Sequence, residues 1–212
     1  MVIVPFDPVV LEGAHVMLEP LGTQHRDSMV KAVSEPRDSF ALTWVPEATE
    51  SSVEAYLGEA ERQHADGLGL TFATVRKSDG VLVGSTRFMN AEYWSKPGTQ
   101  PDSPQPPDAL EIGSTWLAAS AQRTGVNTEA KILMLDHAFN TLGVARVTFK
   151  TDARNQRSRA NIERVGAAFE GILRSHMPAS DGGIRDSAMY SMLASEWPGA
   201  RSRLVARLRP VM

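Results

Sequence analysis

At Leu68 the spacing of apolar residues changes from about 3.6 to 2, and this switch, repeated further along, limits the chain to an alternation of helices and strands. Before it, His15–Leu21 alternates, with Val16 and Leu18 inward and Met17 and Glu19 outward, as a first strand does. Thr23 is read as the cap of a helix through Met29 and Val33, broken at Glu35–Ser39 around Pro36. Ser51 and Ser52 open a second helix carrying Val53, Tyr56, Leu57 and Ala60 and ending at Gly67. Leu70, Phe72, Ala73 and Val75 then form a strand. Ser78-Asp79-Gly80 turns it, since Asp-Gly supplies positive φ, and Val81–Met89 returns. Leu110–Ala118 is a further strand, Val126–Leu142 a helix apolar around most of its circumference, and Arg146–Thr151 a strand with Val147 and Phe149 inward. Asn155 caps a short helix whose end is Gly166, and Phe169–His176 and Asp186–Leu193 close the chain around Asp181-Gly182-Gly183. The order βααβββαβαββ is that of an α/β domain with a mixed sheet.

A length of 212 residues fits one domain, expected to span 1–212 with a core of about 15–196. The chain has no cysteine, which removes disulfides, thiol nucleophiles, zinc ribbons and iron–sulfur clusters. The five histidines (His15, His25, His64, His137 and His176) have no metal-like spacing, and no metal is expected. The net charge is −3, but Gly199–Met212 holds Arg201, Arg203, Arg207 and Arg209 and no acid, so the rest carries −7. A body of that sign is a poor partner for nucleic acid. The arginine-rich segment reads as a solvated helix at 199–210, with Leu204, Val205 and Leu208 on its inner side. No apolar run reaches membrane-span length, and MVIVPFDPVV lacks a basic leader, so a cytoplasmic protein is expected. Trp94–Asp108 contains five of the thirteen prolines and is a loop between strands, either a lid or an insert.

The chemistry gathers in Leu117-Ala-Ala-Ser-Ala-Gln-Arg-Thr-Gly-Val-Asn-Thr-Glu-Ala130. A strand ends, a loop of small residues follows, and a long helix begins near Thr124 or Gly125. The first amides of a helix lack internal acceptors and lie at the positive end of its dipole. Gly125 has no Cβ to hold a ligand away, Thr124 and Asn127 offer side-chain donors, and Arg123 adds fixed charge. Together these suit a pyrophosphate. Neither a nucleotide P-loop nor a dinucleotide fingerprint occurs. Asn155-Gln-Arg-Ser158 follows the next strand and on spacing alone is a capping pair. Glu111 begins the strand that feeds the Gly125 loop. Alternation gives it the face of Gly113 and Thr115, opposite Ile112 and Trp116, where an exposed edge carboxylate is the usual occupant.

In this order and spacing these features resemble the GNAT superfamily of acyl-CoA-dependent N-acyltransferases, and most closely its Rim-type branch, the ribosomal-protein N-terminal acetyltransferases. The likeness runs from His15 to about Glu196. The family's pyrophosphate loop, Q/R-x-x-G-x-G/A, stands here as Gln122-Arg-Thr-Gly125-Val-Asn127, with Asn127 a departure at the last position. Asn127-Thr-Glu-Ala and Asn155-x-x-Ser158…Gly166-Ala also look like that branch.

The resemblance implies a single-domain fold with a mixed, mostly antiparallel sheet flanked by helices. It implies acetyl-CoA as cosubstrate and direct attack by a primary amine of a protein, a peptide or a small molecule. Pantetheine would lie beside the strand before the loop, against the Trp116, Leu117 and Ala118 backbone. The diphosphate would sit on the segment Gln122, Arg123, Thr124, Gly125, Val126, Asn127 and Thr128. Asn155 would touch the pantetheine arm. Glu111 would act as base, and Ser158 would lie near the sulfur, since none of Tyr56, Tyr93 and Tyr190 falls in the helix where many relatives carry a tyrosine acid. A homodimer through the C-terminal strands is the family-based expectation. The alternative functions are an acyl-CoA-binding module without turnover and a protein-interaction domain.

Overall fold

The computed structural model describes residues 6–94 and 106–208. Most of the Pro-rich segment and Arg209 lie outside those residues. Among the described residues eight strands form one sheet: β1 (Leu11–Glu12), β2 (Val16–Pro20), β3 (Gly69–Arg76), β4 (Val81–Glu92), β5 (Ala109–Leu117), β6 (Arg146–Asp152), β7 (Ala168–Pro178) and β8 (Ile184–Leu193). Their spatial order is β1-β2-β3-β4-β5-β6-β8-β7. Every neighbouring pair is antiparallel except β5–β6, as expected of a mixed, mostly antiparallel sheet. The helices are α1 (Arg26–Val33), α2 (Glu50–Ala65), α3 (Val126–Asp136, widening into a π turn over His137–Leu142), α4 (Gln156–Val165) and α5 (Trp197–Leu208).

The sheet has an apolar core on each face. On one, Met29, Val33, Val53 and Leu57 of α1 and α2 pack with Ala73, Leu82, Trp116 and Ala118. On the other, Met134, Leu135 and Ala138 of the α3 segment, Ile162 and Val165 of α4, and Trp197 and Leu204 of α5 cover Phe72, Phe88, Ile112, Phe149 and Tyr190. Removing such side chains from water contributes roughly 1.5–3 kcal/mol each. Leu204 is buried, with Val205 and Leu208 partly so, on the inner side of α5.

Two helix starts differ from the sequence reading. Thr49, not Ser51 or Ser52, caps α2, its side chain accepting the Ser52 N–H. Gly22 occupies the cap position before the turn at Thr23–His25, with no side-chain cap bond. Asn155 does cap α4, accepting the Ser158 N–H at 3.0 Å, and Gly166 ends it at φ +109°.

The amino end of α3 is tied to the start of the sheet by Glu129. This buried carboxylate accepts the N–H groups of Ala14, His15 and Val16 at 2.9, 2.6 and 2.8 Å. The turn passes so close that a Cβ on Gly13 would lie 2.4 Å from the Glu129 carboxyl carbon. From the other side α5 closes on the same loop, where Leu208 Cδ2 would be 3.2 Å from a Cβ at Gly125. Gly125 itself has an ordinary helical φ of −68°, so the glycine makes room here rather than supplying a special backbone angle.

Candidate active site

β5 and β6 share only three rungs, Ala109↔Arg146, Leu110↔Val147 and Glu111↔Thr148. Beyond Glu111 the strands part. The free length of β5 stays with β4, and that of β6 with β8. The resulting V has Glu111 at its apex, and the amino ends of α3 and α4 follow its two arms.

A bulge bends the β5 arm. The ladder to β4 slips between Ser85↔Trp116 and Arg87↔Gly113, so Thr86 faces two residues, Ser114 and Thr115. Ser114 has φ +47°. The extra residue reverses the alternation. Ile112 packs with α3, while Trp116 packs with α1 and α2 and stands edge-to-face with the Phe40 ring (centroids 6.0 Å). The expectation of a shared face for these two side chains is therefore corrected. The bulge also decides which backbone groups meet the opening. Ala118 N–H donates to Val83 O at 2.7 Å, and Trp116 O lies against Gly84 of β4. By alternation only the N–H and C=O of Leu117 face the gap. The Ala118 carbonyl is taken by Ala121 N–H at 3.0 Å.

Glu111 is not the exposed edge carboxylate that such a position usually holds, for it is 4% exposed. Lys150 Nζ lies 3.0 Å from its Oε2, and Asn90 Nδ2 donates to the same oxygen at 2.9 Å. Oε1 is buried, with no partner among the described residues. Arg185 on β8 feels the Glu111 and Asp152 carboxylates, although burial still holds its pKa below the usual arginine value. Lys150 and Asn90 escape sequence reading. Lys150 looks like the outward side of an alternating strand, and the rung that brings β6 beside Glu111 carries no local signal. Asn90, at φ +50°, is the residue type that tolerates a left-handed turn.

At the α3 end, Arg123 is exposed and holds φ +58°, turning the chain into the helix. Several side-chain donors proposed for a ligand are spent internally. Thr124 Oγ1 donates to Ala121 O at 2.7 Å and receives the Val126 N–H at 3.3 Å. Asn127 Nδ2 donates to Asn161 on α4 at 3.2 Å, and Asn127 Oδ1 is buried without a partner. What remains for an anion is the backbone: the amides of Asn127 and Thr128 precede the first intrahelical bond, Glu129 N–H to Gly125 O at 2.9 Å.

Across the mouth, Gln122 Nε2 donates to Leu117 O and Ser39 Oγ, both at 2.8 Å. Arg157 of α4 donates to Ser39 O at 2.6 Å and to Gln122 Oε1 at 3.3 Å. Ser158 is half-buried, and its hydroxyl bonds to none of the described residues. Asn155 is buried beside it.

Among the described residues, the buried side-chain polar atoms left unpaired are Glu111 Oε1, Trp116 Nε1 and Asn127 Oδ1. Such atoms are rare in folded chains, and these three lie on residues that border the V or its mouth. A groove of about 600 Å³ adjoins the same region, lined by Phe40, Trp44, Glu47, Tyr56, Glu59 and Ser180 among others. Tyr56 Oη and Ser85 Oγ, 2.8 Å apart, connect its floor to β4. Glu92 and Asp108 accept from Trp94, the first its Nε1–H at 3.1 Å and the second its backbone N–H at 2.7 Å.

A sheet parted beside a helix amino end is a cleft suited to an extended ligand with an anionic end. Residues 15–168 match the model of the acetyltransferase (GNAT) domain, and the chain belongs to that family of acyltransferases. It is similar to a GCN5-related N-acetyltransferase from Brucella melitensis, at 32% identity and a TM-score of 0.82, covering 96% of this chain and 87% of that one. A curated relative from Bacillus subtilis, named "Putative ribosomal N-acetyltransferase YdaF", is 28% identical over 156 residues, 74% of this chain and 76% of its own. That name agrees with the Rim-type likeness of the sequence. Mycobacterium smegmatis RimJ, solved with CoA-disulfide, shares the fold at a TM-score of 0.73 and 23% identity, covering 95% of this chain and 93% of that one.

Proposed function

We propose that the protein moves an acetyl group from acetyl-CoA to a primary amine, with an α-amino group of a peptide, protein or small molecule as the favoured acceptor. The observation that carries this reading is the V between β5 and β6, with a buried, half-satisfied carboxylate at its apex and unbonded helix amides at its mouth. The backbone amides of Gly125, Asn127 and Thr128, beside the exposed Arg123, hold the diphosphate, while Gln122, Thr124 and Val126 shape the loop through the bonds they make within it. Asn155 holds the pantetheine arm where it passes Trp116, Leu117 and Ala118, the Leu117 carbonyl being engaged by Gln122. Acetyl-CoA supplies the activated acyl thioester. Glu111 Oε1, its one unspent acceptor, takes the proton that the ammonium must lose, directly or through a water. As nitrogen bonds to the acyl carbon and the carbon–sulfur bond breaks, the Leu117 N–H is the donor available to the acyl oxygen, and the proton that the nitrogen sheds on becoming an amide passes by way of water and the Ser158 hydroxyl to the departing sulfur, so that CoA leaves as the thiol.

Energetics favour the α-amine. Freeing the lone pair of a lysine amine with pKa about 10.4 costs roughly 4–5 kcal/mol at pH 7, against about 1–1.4 kcal/mol for an α-amine at about 7.7–8. A single carboxylate, with one oxygen already engaged by Lys150 and Asn90, suits the smaller demand. The groove beside the V, with Trp44 61% exposed and Phe40 and Tyr56 on its walls, supports an acceptor that carries an apolar group.

The test is calorimetric titration with acetyl-CoA, followed by free-thiol release with a panel of peptides bearing free N-termini, lysine-blocked and lysine-free, and small amines. Submicromolar to micromolar binding with thiol release from at least one α-amine is expected. Binding with no release from any amine refutes the catalytic reading, and absence of binding refutes the site.

A further inference from the structure

We propose that Lys131 is a positioning residue, whose amine pins the bulge of β5 and so fixes the spacing between Glu111 and the Leu117 amide. The inference rests on the V between β5 and β6 being the acyl-CoA cleft. Glu111 stands two residues before Gly113 and Leu117 two after Thr115, so the shape of the bulge between them sets how the proposed base and the proposed oxygen donor face each other.

The bulge does not hold itself. A serine at φ +47° sits in a region unfavourable for L-residues, and its exposed side chain bonds to none of the described residues. What meets the bulge from below is α3. Lys131 is 4% exposed, and its Nζ donates to Thr86 Oγ1 at 2.9 Å and to Thr115 Oγ1 at 2.7 Å. Thr86 is the residue that faces the bulge, and Thr115 lies within it. The two hydroxyls are themselves 2.8 Å apart, and Thr115 Oγ1 also reaches Gly113 O at 3.3 Å. One amine thus ties both strands at the point where their ladder slips.

Stability does not account for a lysine here. The nearby carboxylate on its own helix, Glu129, is turned to the amides of Ala14, His15 and Val16. Glu111 is turned to Lys150 and Asn90. Burial without a counter-charge pulls the Lys131 pKa down to about 7. A methionine of similar length would fill the same space at no electrostatic cost. The residue type is explained by the two hydroxyls it grips.

The experiment uses Lys131→Met and Thr115→Val in the full chain, singly and together, with acetyl-CoA and the amine of highest turnover in the panel above. Expected are an unchanged or higher unfolding temperature for K131M and a lower one for T115V, which leaves the buried amine with one acceptor fewer, and for each single variant acetyl-CoA affinity and KM within threefold of the parent and kcat at least tenfold lower. The double variant should be no slower than the slower single one, because both break one unit. Parental kcat in folded K131M, or losses that multiply in the double variant, overturns the proposal. Should K131M fail to fold, T115V decides by the same criteria. A crystal structure of K131M, or of T115V in that case, separates this inference from the cleft reading. Ser114 leaving its positive φ supports pinning whether or not acetyl-CoA binds, and Ser114 remaining near +47° refutes it.

Discussion

Replacing Lys131 by methionine should make the protein more stable near neutral pH, by an amount that shrinks as pH rises. In the folded chain burial lowers the Lys131 pKa from 10.5 to about 7, with desolvation the cause. Between those two values the unfolded chain carries a proton that the native state does not. Stability contributed by this site therefore rises with pH across that window, by at most about 1.4 kcal/mol per unit. Integrated, the buried amine burdens the native state by about 4 kcal/mol at pH 7.5 and by between about 1 and 2 kcal/mol at pH 9.5. The methionine variant would carry no such burden. Its loss of two hydrogen bonds, about 1 kcal/mol each, is softened because Thr86 and Thr115 still bond one another. Urea unfolding of both proteins at the two pH values, followed by tryptophan fluorescence, measures the difference. The advantage of K131M should fall by roughly 2–3 kcal/mol from pH 7.5 to 9.5. Other titrating groups cancel in the comparison, and the chain has no thiol to ionise in that range. An advantage that stays constant within about 0.5 kcal/mol refutes the account of Lys131 as an amine buried without a counter-charge.

Glu111→Gln should bind acetyl-CoA as the parent does and lose on the order of 10²–10⁴ in kcat, read by thiol release at pH 7.5; turnover within twofold of the parent removes Glu111 as base. Glu129→Ala leaves three backbone N–H groups without their acceptor and should cost about 3–5 kcal/mol by urea unfolding, with Glu129→Gln intermediate; a cost under about 1 kcal/mol contradicts the anchoring role. β7 ends the sheet with Phe169, Ile172 and Leu173 between 40% and 48% exposed. Pairing of two copies there should give twice 23.1 kDa by light scattering, and Leu173→Glu should restore the single mass.

The order of elements from β2 to β8 was legible because each carries its own period, and the caps at Asn155 and Gly166 because those residue types do one job well. The features that shape the site were less so. A bulge built on glycine announces itself; one built on Ser114 does not, and it silently reversed the faces of Ile112 and Trp116. β1, two residues long, is too short to show a period. The burial of Glu111 depends on Lys150 and Asn90, which reach it from different strands. Lys131 lay within a helix read as apolar on most sides, and only its packing against Thr86 and Thr115 distinguishes it from a surface lysine.

Because β5 and β6 meet over only three rungs, the two arms of the sheet behave as a wedge whose tip is at Glu111. Points near the tip of a wedge travel least when it widens. A bulkier thioester that forced the arms apart would displace Leu117 and the α3 loop well before it disturbed the carboxylate. Changes in acyl chain length would then be felt first as altered affinity, while the proton-accepting end keeps its setting.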